Sequence, residues 1–517
     1  MRFAGTAALA VLTVIGCVYR APPRLTEHYA DRISAPSPIP KEYDPVVAEV
    51  AAHNTDSTPD SLIGTTVSLD QPISLEQAQE IALFHSPKIA EARSAVSIAA
   101  ARERGKFAAF LPTVGTSYAF QAFSSDTGFV GIPAGGRFPV LPVRGVGPGN
   151  QDFEVLDVRV QWTVFQFGKR IALHDQSEIR FEISRWLMER TQQEVVFDVA
   201  LNYAKVLQAR ASHVVAERAV VRADAALNEV RNLTENGVLT REDTLRAEVF
   251  LADVRQELIA ATSESQITVA GLNRSMGINV SLPTRVIERS EELEEYPFSL
   301  EVCLARAITG RPEFSIVRLG VAAAGRGADA TRADFLPTIT TTGGGALVEG
   351  NGIQNAKVGD AGITIKWNLF EGGRRVAELR EAEAEIAVAM AQGQHVCDTI
   401  AFETHIAFRN IEDALGRLKQ SRTATGQAAE TLRLVRNRYH GGDAKPTDIV
   451  DAETALIKAE QNINSARYDL LIALARMKFA TGGIDHTLAP KGVVTDAASD
   501  SNDIPPTSLP VIPDGPE

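Results

Sequence analysis

The sequence is poor in the residue types that would support a metal, redox or nucleic-acid function. It holds three cysteines and five methionines among 517 residues. Cys303 and Cys397 have no CxxC spacing and the nine histidines are scattered, so the pattern predicts no metal site. Aspartate and glutamate (65) outnumber lysine and arginine (52), and a formal charge of −13 argues against a nucleic-acid partner, because phosphate binding requires a basic face.

Long apolar runs are missing as well. Beyond the N-terminus no stretch approaches the roughly 18 apolar residues that a membrane-spanning helix needs. If the chain crosses a membrane, it must therefore do so as a closed β-barrel, which also satisfies every backbone group in lipid. No GxSxG, HExxH, Walker or GxGxxG element lies in a fitting context, so the sequence predicts neither an enzyme nor a cofactor. Aromatic residues are only 6% of the chain, which favours long helices over a thick aromatic core.

The N-terminus has the pattern of a secretory signal. Arg2 precedes a short apolar run, and residues 1–16 are predicted to be a signal peptide. The segment Val14-Ile-Gly-Cys17 resembles a bacterial lipobox, which predicts lipidation of Cys17, although ordinary cleavage beside an unmodified cysteine is the alternative. Val18, in place of an aspartate, favours the outer membrane. Residues 17–72 are rich in Pro, Ser and Asp and are predicted to form a lipidated tether.

The rest of the chain contains the same set of sequence motifs twice. Phe110-Leu-Pro-Thr113 recurs as Phe335-Leu-Pro-Thr338, 225 residues later, and an insertion in the first copy then reduces the offset to 205. At that offset the matching pairs are Trp162 and Trp367, Phe165 and Phe370, Tyr203 and Phe408, Gly237 and Gly442, and Asp243 and Asp448. Such a duplication predicts two tandem copies of one structural unit. We assign residues 73–283 to repeat 1, 284–298 to an acidic connector, 299–483 to repeat 2 and 484–517 to a disordered tail.

Each repeat begins with a predicted helix and two strands. The helix, of some 30 residues, starts after Ser74 or Ser299 and stops at the Leu-Pro of the repeated tetrapeptide. The strands then alternate between apolar and polar side chains: Val158, Val160 and Trp162 against Arg159 and Gln161 in repeat 1, and Ile363, Ile365, Trp367 and Leu369 against Thr364, Lys366 and Asn368 in repeat 2. This alternation is what a membrane barrel strand requires, and a half-buried soluble hairpin shares it.

Two very long helices follow, from about Lys169 to Asn232 and from about Arg374 to Arg438, and neither contains a proline. Each could reach about 95 to 100 Å at 1.5 Å per residue. A lone helix of that length cannot bury its apolar stripe, so lateral packing is expected. Both end at a glycine turn, residues 235–240 and 439–446, and a return helix of about 35 residues follows each turn.

One chain thus supplies four strands, whereas the smallest membrane barrels have about eight. Closure requires several copies, and three chains would supply twelve strands; the homotrimer itself is what the resemblance described next implies. The inward positions would carry Arg159, Gln161, Lys366 and Asn368, which predicts a water-filled interior.

These motifs, in this order and in two copies, resemble those of the TolC-like outer-membrane efflux proteins, also called outer-membrane factors. The resemblance covers roughly residues 73–483. The resemblance implies a mainly α fold with transmembrane β-strands: a trimeric twelve-stranded β-barrel continuous with a periplasmic α-helical barrel. It implies an outer-membrane exit duct of a tripartite efflux or type I secretion system. Such a duct passively conducts substrate from an inner-membrane pump, of RND or ABC type, and a periplasmic adaptor to the exterior. A lipid-anchored protein that projects into the periplasm is expected.

The segment from Tyr439 to Asp451 resembles the family's inner turn, where two aspartates line a periplasmic gate. Asp448 and Asp451 are spaced i, i+3 on one helix face, and six of them in a trimer would form a cation-attracting ring. Capping of a helix start is the alternative for these carboxylates. The resemblance also implies gate-closing contacts at Tyr439 and Asp243.

Two departures from the family pattern alter that prediction. Ala444, with Lys445 beside it, occupies a position at which the best-known members have an arginine. Arg246 occupies the position of repeat 1 that corresponds to Asp451 in repeat 2. The closing network must therefore differ. A second class of protein, a coiled-coil outer-membrane lipoprotein with no pore, would share the long helices. With five methionines and no Met/His cluster, the sequence gives no sign of a metal cargo.

Overall fold

The computed structural model describes residues 71–125, 149–288, 295–351 and 356–483. The first half contains α1 (Leu75–His85), α2 (Pro87–Phe107), a 3-10 turn (Ala108–Phe110), β1 (Thr113–Ser125), β2 (Gly149–Phe165), α3 (Lys169–Glu235) and α4 (Arg241–Met276). The second half contains α5 (Leu300–Gly310), α6 (Pro312–Ala333), β3 (Thr338–Asn351), β4 (Ala356–Lys366), α7 (Arg374–His440) and α8 (Pro446–Ala480). The predicted signal peptide, Cys17, the tether up to residue 70, residues 289–294 of the acidic connector and the tail lie outside the described residues.

The single helix predicted at the start of each half is wrong, because both are broken at a proline. Ser86 adopts an extended conformation (φ −63°, ψ 126°) between α1 and α2, and Pro87 is the first residue of α2. Arg311 and Pro312 repeat this break between α5 and α6. Proline disfavours helical geometry in the residue before it and is well tolerated at a helix's first position, so one helix ends and another begins.

The two long helices form as the sequence predicts, and each spans 67 residues. Helix α3 packs against α2 and α6 along its N-terminal part and against α4 and α8 along its C-terminal part. Helix α7 packs against α6 and α8. One cluster of buried residues joins α3, α4 and α8 and includes Ala223, Leu227, Leu251 and Ile457. A second joins α5, α7 and α8 and includes the free thiol of Cys303. The apolar stripes are thus covered by several partners in succession.

The return helices end against the proline breaks. Gly277 closes α4 with φ +75°, and a Cβ built there would lie 2.6 Å from the carbonyl oxygen of His85, directly before the first break. In the second half Gly482 (φ +72°) meets the backbone of Gly310 in the same way. Glycine is required at both positions, since a side chain would meet backbone atoms and would also strain φ.

The four strands form one antiparallel sheet in the order β1-β2-β3-β4, so within the described residues β1 and β4 are its edges. Directly paired residues share a face of a sheet. One row runs Gly115, Arg159, Gly344 and Asp360, and the next runs Val114, Val160, Gly343 and Ala361. The predicted separation of polar and apolar faces is therefore present in these rows. On the polar face Asp157 is only 9% exposed, whereas Val114 and Ile363 on the apolar face are 70% and 73% exposed.

The prediction that Trp367, Asn368 and Leu369 continue the last strand is wrong, because β4 ends at Lys366. Lys366 pairs with Thr338, the first residue of β3, so no partner strand remains beyond it. The Trp367 indole instead donates a hydrogen bond to the Phe335 carbonyl at 3.0 Å. Trp162 does the same to Phe110 at 2.9 Å. Each tryptophan thereby satisfies a carbonyl at the end of the preceding helix. No helix among the described residues is long and apolar enough to cross a membrane.

Two glycine variants separate backbone strain from close packing. Gly277→Ala and Gly237→Ala impose the same left-handed strain (φ 75° and 74°), but only Gly277 has backbone within reach of the new Cβ. We expect the strained φ alone to lower the free energy of unfolding of both variants by about 1–2 kcal/mol. Gly277→Ala should lose roughly a further 1–3 kcal/mol through overpacking. Thermal unfolding of the detergent-solubilised protein measures this difference, and equal midpoints for the two variants would contradict the packing argument.

Candidate functional site

The predicted gate residues lie at the end of the molecule where two helical hairpins turn. The turn from α3 to α4 uses Gly237 (φ 74°), and the turn from α7 to α8 uses Gly442 (φ 82°). Glycine populates this left-handed region without steric cost. The hairpin α3/α4 contacts the hairpin α7/α8 chiefly through α3 and α8.

Both return helices have, in their first turn, an aspartate that accepts a backbone hydrogen bond. Asp243 accepts from the Thr240 N–H at 3.1 Å and from its hydroxyl at 2.7 Å. Asp448 accepts from the Lys445 N–H at 3.0 Å. The hydrogen bonds from Thr240, with the charges of Arg246 and Lys445 acting in the same direction, lower the pKa of Asp243. Asp448 therefore makes the contact of a helix cap, and its gate role stays a prediction.

The other three predicted residues come together around a cavity of about 210 Å³ between the hairpins. Asp243 contributes from α4, Tyr439 from the end of α7 and Asp451 from α8. Arg246 also lines it, and its guanidinium donates to Glu242 at 2.6 Å on the same helix. Asp448 is not among the lining residues, so the two aspartates of the motif have different surroundings.

Tyr439 has a distinctive environment. Its side chain is 9% exposed, and its buried hydroxyl has no hydrogen-bond partner among the described residues. Burial, with the nearby carboxylates of Glu229 and Asp243, raises the pKa of Tyr439, so the hydroxyl stays protonated at neutral pH. The implied closing contact between Tyr439 and Asp243 is not a direct hydrogen bond in this structure, and their closing role stays a prediction.

A buried ionic network, which the sequence interpretation missed, joins the hairpins next to the cavity. Glu453 of α8 is 1% exposed, and one carboxylate oxygen accepts from Arg222 Nε of α3 at 2.9 Å. Its other oxygen accepts from Arg436 of α7. Arg222 also donates to Glu460 at 3.1 Å. A single carboxylate thus connects three helices.

A weak signal for this network was present in the sequence. Ile449, Leu456 and Ile457 mark the buried face of α8 at helical spacing, and Glu453 falls on that face. A charged residue on an apolar stripe is buried only when paired. The signal does not name the partners, since Arg222 lies 231 residues away.

The polar face of the sheet holds a second charged group. Arg159 of β2 donates to both carboxylate oxygens of Asp360 on β4, at 3.1 and 3.2 Å, and lies 3.5 Å from Asp157. The guanidinium reaches Asp360 across β3 at Gly344, where a Cβ would lie 2.6 Å from the Val158 carbonyl oxygen. The polar face of the sheet therefore contains a paired charge. Among the described residues, no group of three or more His, Cys, Asp or Glu side chains could hold a metal ion.

Two helices of 67 residues and one four-stranded sheet, in this order along the chain, are found here in a member of the outer-membrane efflux proteins. The chain belongs to the outer membrane efflux protein family, whose model matches residues 79–278 and 303–483. Among curated relatives, the outer membrane efflux protein BepC of Brucella suis is 22% identical over 321 residues, which cover 62% of this chain and 69% of that protein. The alkaline protease secretion protein AprF of Pseudomonas aeruginosa is 25% identical over 261 residues, 48% of this chain and 53% of that protein.

A solved structure shares the fold. The outer membrane channel CmeC of Campylobacter jejuni superposes with a TM-score of 0.69 at 14% identity, over 79% of this chain and 85% of that one. The resemblance inferred from the repeated motifs is thereby confirmed at the level of family and fold.

Removal of the Glu453 charge should loosen the contact between the hairpins. Glu453→Gln leaves Arg222 and Arg436 without their shared carboxylate. We expect it to lower the free energy of unfolding by roughly 2 kcal/mol. This is less than the loss of a fully buried pair, because Arg436 is partly exposed. Glu460→Gln is the matched control, expected to cost under about 1 kcal/mol because Glu460 is more exposed. Thermal unfolding at fixed protein concentration compares them, and equal losses would contradict the assigned role.

Proposed function

We propose that this protein is the outer-membrane exit duct of a tripartite efflux or type I secretion system. It conducts substrate passively from an inner-membrane pump and a periplasmic adaptor to the exterior. Family membership supports an efflux role, and the similarity to AprF, a protease secretion protein, supports type I secretion as one form of it.

The observation that carries this proposal is the distribution of side chains on the sheet. In one cross-strand row of the apolar face Tyr118, Leu156 and Leu347 are all exposed, and Lys357 of β4 completes the row. The opposite face carries Arg159 and Asp157, whose side chains are more sheltered, and Asp360, which is exposed and paired with Arg159. A soluble sheet would bury its apolar face, whereas a sheet that contacts lipid on the outside and water on the inside has this arrangement.

The sheet edges support trimerisation. Strands β1 and β4 each leave one row of backbone N–H and C=O groups unpaired within the described residues. Such groups are costly in lipid, where no water can satisfy them. Pairing of β4 of one copy with β1 of the next would satisfy both edges, and three copies would close a twelve-stranded barrel. The long helices would then line a tube that continues from the barrel.

At the opposite end of the tube, the turn cluster is suited to a periplasmic gate. Asp451 is exposed at the start of α8, and three copies would place three such carboxylates, with those of Asp448, around one opening. Tyr439 and Asp243 lie between the hairpins, where a change in packing would alter that opening. A lipid anchor at Cys17 would hold the chain to the outer membrane.

A coiled-coil lipoprotein without a pore is the alternative, and adjacent residues of β2 distinguish the two. In a Cys17→Ala chain, which cannot be acylated there, we expect detergent still to be needed for extraction. Within that background Val160→Arg places a charge on the apolar face and should cost about 2–4 kcal/mol in lipid, with loss of trimer in the membrane fraction. Gln161→Arg, on the polar face, should assemble normally. Release of the Cys17→Ala chain as a soluble protein would refute the barrel.

The gate is tested by electrical recording. The Asp448→Ala/Asp451→Ala double variant removes two carboxylates per chain from the proposed ring, so block of the channel by cations should weaken at least tenfold in planar bilayers. Glu430→Ala is the control, because Glu430 is an exposed carboxylate paired with Arg433 on its own helix. Cation block that survives in the double variant would leave Asp448 with only its capping contact.

A further inference from the structure

The packed helices, like the strands, end in two open edges. Near the sheet the helices contact one another chiefly in the order α2, α3, α6 and α7, and toward the hairpin turns in the order α4, α3, α8 and α7. Within the described residues α7 therefore forms one edge of both sets, and α2 and α4 form the other edge. These edges continue those of the sheet, because α2 leads into β1 and β4 leads into α7.

The contact of α3 with α6 and α8, here called the internal contact, shows how such an edge is covered. The Gln176 amide of α3 donates to the Ala323 carbonyl of α6 at 2.9 Å. A Cβ at Gly327 would lie 2.8 Å from that amide nitrogen. Further along α3, the Phe197 ring stacks on Phe479 of α8 with centroids 4.8 Å apart. The internal contact thus joins repeat 1 to repeat 2.

The equivalent positions at the open edges are uncovered. An offset of 205 residues equates α3 with α7 and α4 with α8, and an offset of 225 equates α2 with α6. Phe402, the counterpart of Phe197, is 67% exposed. Ile98 is 52% exposed, whereas its counterpart Ala323 is 6% exposed. Equivalent faces of a duplicated unit call for equivalent partners, so α7 requires an α2 and an α4. Those of its own chain lie at the far edge, and a second copy must supply them.

Opposite charges meet when α7 is placed on α2 in the register of the internal contact. Glu381 of α7 corresponds to Gln176, and Arg102 of α2 corresponds to Gly327, the residue that Gln176 approaches. Glu381 and Arg102 are both exposed. Neither side chain has a partner within the described part of the chain. The register therefore gives each of them a partner of opposite charge.

The same register matches a cation with a ring at the end of α4. Arg274 occupies the position of Phe479, so it meets the exposed ring of Phe402, and cations are attracted to the face of an aromatic ring. Asp398 occupies the position of Gln193, whose amide donates to the end of α8 in the internal contact. The Asp398 carboxylate therefore lies toward the end of α4, where Arg274 is its opposite charge.

The ion pairs of the internal contact do not recur in this register. Arg190 lies 3.0 Å from Glu313 in the internal contact, and their counterparts are His395 and Lys88. Lys88 is paired within its own chain, with Asp198 at 2.8 Å. The two contacts thus share a geometry but not a charge pattern. The pairs that select α7 for the open edge are absent from α3.

We propose that α7 of one copy docks on α2 and α4 of the next copy in the register of the internal contact. Glu381 forms an ion pair with the partner subunit's Arg102, and Phe402 lies against the partner subunit's Arg274. Because the two edges differ, the contact is head-to-tail, and such contacts close a ring when the rotation between copies permits it. The docking rests on the proposed trimer and adds which helices meet and which side chains select the partner.

Charge reversal tests the ion pair in the full-length protein in detergent. Glu381→Arg and Arg102→Glu should each lower the fraction of trimer about tenfold, because each places like charges together. The double variant Glu381→Arg/Arg102→Glu should restore the trimer. Glu385→Arg is the control and should leave it unchanged, since the counterpart of Glu385 on α3 is an exposed arginine, Arg180. Size-exclusion chromatography with light scattering measures the trimer.

Crosslinking tests the register independently of charge. In a Cys17→Ala/Cys397→Ala background, a short bismaleimide should join the thiols of Glu381→Cys/Arg102→Cys between copies and give covalent trimers on a denaturing gel. The control pair Glu381→Cys/Arg93→Cys should stay monomeric there. Arg93 lies nine residues from Arg102, or about 14 Å along α2.

These results separate the docking from the channel function. Pores in planar bilayers from a protein whose Glu381→Cys/Arg102→Cys variant does not crosslink would reject the docking and retain the exit duct. Covalent trimers that conduct no ions would retain the docking and reject the exit duct. Undiminished trimer in both single reversals, or no recovery in the double variant, would overturn the ion pair on which the docking depends.

Discussion

The structure depends on one constraint, the need to cover an apolar stripe along a helix of 67 residues. None of the helices that pack on α3 is long enough to do this. Helix α3 is therefore covered by α2 and α6 near the sheet and by α4 and α8 near the tip. The succession of partners places the turns of both hairpins at one end and the four strands at the other. The positions of the four-stranded sheet, the packed long helices and the two hairpin turns therefore follow from that packing.

Close backbone contacts fix how the ends of these packed helices meet one another. Each return helix ends at a glycine that touches a proline-induced break, Gly277 at His85 and Gly482 at Gly310. The strand ends are fixed by the indoles of Trp162 and Trp367, which bond to carbonyls of the preceding turns. Because these contacts recur in both halves, the two halves present their helices and strands in the same order. That order allows the strands to form one sheet with two open edges.

Paired charged side chains lie at contacts between helices and between strands. Glu453 links three helices near the tip, and Arg159 reaches over Gly344 to link β2 with β4. Buried pairs of this kind contribute more to the choice of one arrangement than to net stability, since desolvation offsets much of the Coulomb attraction. Beside the first network lies the cavity with the unpartnered hydroxyl of Tyr439. This end of the molecule therefore combines a charged contact that holds the hairpins with a cavity between them.

The sequence by itself determined the long helices, the glycine turns, the alternating strands and the family, because periodicity and backbone preferences are local. It also carried Pro87 and Pro312, although the breaks they cause were not predicted. Only the tertiary structure decided that β4 stops at Lys366, because a strand extends only as far as its partner. It also decided that Glu453 meets Arg222 and that Tyr439, Asp243 and Asp451 share a cavity. A residue's spacing fixes the face it occupies, but what covers that face depends on how distant segments pack.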